Sequence, residues 1–106
     1  MMTVALLSAQ ASNGSGTAVV LSGKVDGNSF SLAVFGTFGG GTVTIEVALD
    51  GTNYVVLDSF TAAGFGTYTI FVDNGSKIRA TLAGATSPNI TVLMSGAYTG
   101  ITRTDA

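Results

Sequence analysis

The sequence predicts an all-β protein: an antiparallel two-sheet β-sandwich of seven or eight strands, with jelly-roll or immunoglobulin-like connectivity. Three observations lead there. Apolar and polar residues alternate with period two in run after run, which sends one set of side chains to a core and the other to an open face. Turn residues punctuate these runs at spacings of roughly 10–12 residues, the rhythm of sandwiches and barrels. No window carries a 3.6-residue apolar stripe, and 15 glycines interrupt any longer helix.

From the N-terminus, Thr3 to Leu7 reads as a first strand or docking arm; it lacks the basic start and the apolar length of a secretory leader. A short strand follows over Thr17 to Ser22. Asp26-Gly27-Asn28 then marks a turn before the run in which Phe30, Leu32 and Val34 alternate with Ser29, Ser31 and Ala33. In the next run Val43, Ile45, Val47 and Leu49 take core parity, with Thr42, Thr44, Glu46 and Ala48 on the open side. Asp50-Gly51-Thr52-Asn53 turns this strand into Tyr54-Val55-Val56-Leu57. Tyr68, Ile70 and Val72 form the core side of another strand, and Asp73-Asn74-Gly75-Ser76 leads from it to the Ile78, Ala80, Leu82 run. Asp-Gly and Asn-Gly between alternating segments are strong local hairpin signals, so both junctions are expected to be hairpins. After a loop holding the single proline, Pro88, the last strand buries Ile90, Val92 and Met94.

Composition narrows the function. With 106 residues the chain makes one domain, and burial of roughly 65% of its unfolded surface supports a core without staples. Charged residues make up 9% of the chain, against roughly 25% in an average soluble domain. So little charge fits either a Ser/Thr-rich polar surface or one covered by neighbouring subunits. Four basic residues, Lys24, Lys77, Arg79 and Arg103, form no cluster for phosphates, so no nucleic acid partner is expected. No apolar run approaches the ~20 residues of a membrane helix, so no membrane partner is expected either.

The inventory for catalysis is thin. Histidine and cysteine are absent, which removes the usual general base and thiolate chemistry. Asp26, Asp50 and Asp73 sit in turns, where aspartate bonds its own backbone. The best remaining hydrolytic pair is Glu46 with Asp58. Gly39-Gly40-Gly41-Thr42 lacks the lysine and the following helix of a phosphate loop and reads as a glycine corner. An all-oxygen metal site would have to draw on Asp50, Asn53 and Asp58, or on Asp73 and Asn74, without dense ligand spacing. The expectation is therefore a non-enzyme with no cofactor and no metal. Its candidate partner contacts are the aromatic residues at corners or off the core parity: Phe35, Phe38, Phe65, Phe71 and Tyr98.

The central stretch Phe35-Gly36-Thr37-Phe38-Gly39-Gly40-Gly41-Thr42-Val43-Thr44-Ile45-Glu46-Val47, continued by Asp50-Gly51-Thr52-Asn53-Tyr54, by Phe60 to Gly64 and by Lys77 to Leu82, resembles small Gly/Thr-rich virion proteins of tailed bacteriophages. The resemblance spans about Ser29 to Leu93. It implies a capsid decoration or cement protein, made in the host cytoplasm and placed on the outer capsid surface of the virion, or else a small neck or tail component. The implied partners are the major capsid protein or other virion subunits, and further copies of itself as a trimer or dimer. The expected division is an N-terminal strand or docking arm over 1–16, the sandwich over 17–97 and a tail over 98–106. The competing expectation is a carbohydrate- or receptor-binding sandwich of a tail or fibre, with Tyr54, Tyr68 and Tyr98 stacking on sugar rings.

Overall fold

The computed structural model describes residues 2–21, 28–70 and 75–96. Among the described residues nine strands run in chain order: β1 (Met2–Gln10), β2 (Gly14–Ser15), β3 (Val19–Leu21), β4 (Asn28–Thr37), β5 (Thr42–Ala48), β6 (Val55–Phe60), β7 (Gly64–Ile70), β8 (Ser76–Ala83) and β9 (Asn89–Gly96). Among the described residues there is no helix. All pairings are antiparallel, and they build two sheets. One has the order β1-β9-β4-β7; in the other β2 and β3 share one side of β8, followed by β5 and β6. Counting β2 and β3 as two pieces of one edge leaves the eight strands of a jelly roll. Every connection crosses between the sheets except β5 to β6 and the step from β2 to β3. An immunoglobulin order is ruled out, because its first two strands lie in one sheet, whereas β1 here pairs with the last strand and β2 lies in the other sheet.

The period-two pattern predicts the core closely. Phe30, Leu32 and Val34 of β4 and Ile90, Val92 and Met94 of β9 face Val43, Ile45 and Val47 of β5 and Ile78, Ala80 and Leu82 of β8, all buried. Leu6 and Leu7 are neighbours in sequence, yet both are buried. The register with β9 slips between Ala5 and Leu7, and a bulge of this kind puts two successive side chains on one face. Residues 2–15 are thus part of the sandwich, which begins at β1 and not at residue 17.

Two further expectations need correcting. Asp50-Gly51 does turn β5 into its partner β6, with the Asp50 carboxylate accepting from the backbone N–H of Thr52 and Asn53 at 2.8 and 2.7 Å. These bonds and one from the Asn53 side chain hold the Asp50 carboxyl down at about 2. The second junction is not a hairpin, because β7 and β8 lie in different sheets. The local Asn-Gly signal is overridden by long-range pairing of β8 with β5. Leu49, expected inside, is 57% exposed while Ala48 is buried. Alternation stops there because β5 ends at Ala48 and the chain turns away.

At the side of the sandwich where β6 and β7 form the two sheet edges, the sheets are tied together. A register shift between Ile45 and Glu46 leaves Leu57 as the extra residue of β6 and sets Asp58 opposite core Ile45. Tyr68 of β7 stacks on Phe30 with ring centroids 5.5 Å apart and donates its hydroxyl to Asp58 Oδ2 at 2.6 Å. Burial, and next the bond to the Asp58 carboxylate, push the Tyr68 phenol up to about 12. Its folded pKa lies above the ordinary value of 10, so the bond stabilises the fold below pH 10 and is lost as pH rises through 12. Tyr68→Phe is expected to cost about 1 kcal/mol at neutral pH. It should also flatten the part of the fall in melting temperature between pH 10 and 12 that wild type shows; thermal melts of both proteins across that range check this.

Candidate docking surface

The two open faces of the sandwich differ in chemistry. On the β8–β5 sheet, outward side chains from Ser15 to Tyr54 form a connected polar chain. Arg79 Nε donates to Glu46 Oε1 at 2.8 Å, and the Thr81 hydroxyl donates to the same oxygen at 2.8 Å. With its one proton committed, Thr81 accepts from the Ser15 hydroxyl, 2.8 Å away on β2. The Arg79 guanidinium carbon sits 3.7 Å from the centroid of the Tyr54 ring, a cation–π stack. Burial raises the pKa of Glu46, but the bonds from Arg79 and Thr81 and the Arg79 charge outweigh it and hold the carboxyl below its ordinary value. Each group in this chain has a partner within the protein.

The β1-β9-β4-β7 sheet carries no charged residue on any of its four strands. The charged side chains of the described residues, Glu46, Asp50, Asp58, Lys77 and Arg79, all belong to the other sheet or its hairpin. Register aligns one row across all four strands of the uncharged sheet: Ala5 opposite Leu93, Leu93 opposite Ala33, and Ala33 opposite Phe65. Phe65 is 70% exposed, and Phe35, two residues beyond Ala33, is 45% exposed. That offset makes Phe35 and Phe65 diagonal neighbours, with backbones roughly 7–8 Å apart and rings within reach. The next row, Thr67-Ser31-Ser95, is hydroxylic. The result is an aromatic patch with an apolar row behind it and a neutral polar rim, the composition of an interface core with its rim.

Of the five expected contacts, Phe35 and Phe65 share this face. Phe38 does not, because it lies in the turn closed by the 2.9 Å bond from Gly41 N–H to its carbonyl and packs partly buried against the core. Phe71 and Tyr98 lie outside the described residues. Sequence parity missed Leu93, Ala33 and Ala5, although each is an apolar residue at an off-core position of its strand. A second exposed apolar group, Leu49, Val55 and Val56, sits on the β5–β6 hairpin, with Val56 directly opposite Glu46. It is interrupted by charge where the Phe35/Phe65 face is not.

Among the described residues the arrangement does not assemble the other chemistries considered; Asp73 and Asn74, like Tyr98, lie outside them. Glu46 and Asp58 leave opposite faces of their sheet, so they share no reacting centre. Asp50 is saturated by donors of its own turn, and no group of three or more His, Cys, Asp or Glu comes together among the described residues. Arg79 already covers one face of Tyr54, and the Tyr68 ring is stacked on Phe30. Comparison with protein-family models and with curated proteins finds no match.

Proposed function

We propose that this protein is a non-catalytic assembly subunit that docks onto other protein subunits through the open face of the β1-β9-β4-β7 sheet. The observation that carries the reading is that this face is free of charge across four strands and exposes Phe35 and Phe65 at diagonal positions of adjacent strands. Desolvating such a face removes no charge from water, so burial of its aromatic rings is net favourable. The more specific reading is a structural protein of a tailed-bacteriophage virion, a homo-oligomer that binds neighbouring capsid subunits from outside and stabilises them. The resemblance over Ser29 to Leu93 supports it. Viral capsid domains are among those that use jelly rolls, as are lectins and cupins, so the fold is compatible with the role without defining it. Several such faces linked in one oligomer multiply weak contacts into a firm clamp.

The test compares phage heads with and without the protein. Wild type is expected to co-purify with heads and raise the temperature at which they release DNA. Phe65→Ser, folded and soluble, is expected to bind at least roughly thirtyfold more weakly, the scale of losing one aromatic anchor of about 2 kcal/mol. Absence of wild type from purified heads, with heat tolerance unchanged, would overturn the virion reading.

A further inference from the structure

The four sheet edges are not equally protected. An unpaired strand edge offers a row of backbone N–H and C=O groups to any other strand, and folds usually blunt it with bulges, charges, proline or short length. The edge formed by β2 and β3 is broken into pieces of two and three residues. β6 carries a register shift and the charged Asp58. β1 has two register shifts, and Ala9 within it adopts a positive φ of 48°. β7 has none of these devices. It pairs with β4 in unbroken register from Gly64 to Ile70, contains neither charge nor proline, and has no partner on its other side among the described residues.

We infer that β7 is the seam of a homodimer, in which the β7 strands of two copies pair antiparallel and join two four-stranded sheets into one of eight. An open strand edge is completed by a strand. β7 suits its own copy because it is uncharged, so antiparallel self-pairing sets no like charges opposite each other. The two-fold axis of such a pair stands perpendicular to the sheet, which makes the contact isologous and closed. It also places the uncharged open faces of both copies on the same side. The two Phe35/Phe65 patches, each flanked by its own β7, then border one continuous surface. This deepens the homo-oligomer part of the reading above and is independent of the identity of the capsid partner.

Thr67, exposed at the middle of β7 and opposite Ser31, allows a charge-swap test. Light scattering over a wide concentration range is expected to give wild type twice the 10.6 kDa chain mass. Thr67→Lys and Thr67→Glu, prepared separately, should each shift dissociation to at least about tenfold higher concentration, because a like charge then faces its copy across the seam. Mixed in equal amounts, the two variants should restore the dimer, which also shows that both are folded. A wild-type oligomer whose mass ignores either charge would place the seam elsewhere and overturn this inference, leaving the homo-oligomer reading standing. A wild-type monomer at every concentration would overturn both.

Discussion

Phe30→Ala is expected to cost about 3–5 kcal/mol, the range for truncating a buried phenylalanine. Phe30 is among the largest fully buried side chains, 2% exposed, and lies on β4 between Tyr68 of β7 and the end of β9. Removing the ring takes away the surface on which Tyr68 stacks, and with it the support that aims the Tyr68 hydroxyl at Asp58. The loss therefore includes both a cavity and a weakened tie between the two sheets. Against a total stability of about 5–15 kcal/mol for a domain of this size, that is a large fraction. Urea unfolding should show a much lower midpoint with little change in slope. Phe35→Ala on the same strand, where the ring is open to solvent, is the control and should cost under about 1 kcal/mol. Equal losses at the two positions would contradict the burial of Phe30 and the exposure of Phe35.

Gly36→Ala is expected to destabilise by about 3 kcal/mol through the backbone. Gly36 has φ of +122°, a conformation that side-chain-bearing residues rarely adopt. A Cβ there would lie 2.0 Å from the carbonyl oxygen of Asn89 and 3.2 Å from the Cα of Ile90. Both obstacles are main chain, so β4 and β9 would have to part where Gly36 pairs with Ile90. Conformational strain of about 1–3 kcal/mol and the overpacking penalty of about 1–3 kcal/mol act together. Gly40→Ala separates them: φ is +78° but no atom lies within 4 Å, so only the conformational cost of about 1 kcal/mol remains. Denaturation of the two variants side by side checks the difference. The Gly36 variant should also bind more weakly through its neighbour Phe35.

Much of this architecture was legible in the residues. The alternating runs around Phe30, Val43, Ile78 and Ile90 define both the strands and their buried faces, because a half-buried strand writes its parity directly into side-chain type. Connectivity was not legible. Asn74-Gly75 has the composition of a hairpin turn, but the partner of β8 is chosen by Val43, Ile45 and Val47 packing beside Ile78, Ala80 and Leu82, a preference spread across distant positions. Bulges at Leu6 and Leu57 were equally hidden, since one extra residue leaves no local signature. The docking face was half visible. Phe35 and Phe65 stood out as off-parity aromatics, but only the β4–β7 register makes them neighbours, and only the strand order shows that no charge lies between them.

The pairing of the first strand with the last has a consequence for the growing chain. Leu6 and Leu7 are made well before the strand they pack beside, because β1 and β9 are far apart in sequence. At about 5–20 residues per second, β1 waits on the order of ten seconds with no partner and no charge to keep it dispersed. Until Val92 and Met94 emerge, the uncharged sheet lacks its central strand β9 and cannot close. Closure of this sheet is therefore limited by distant contacts, which sets its pace in the slow range of β-proteins and leaves the nascent strand exposed to chaperones meanwhile.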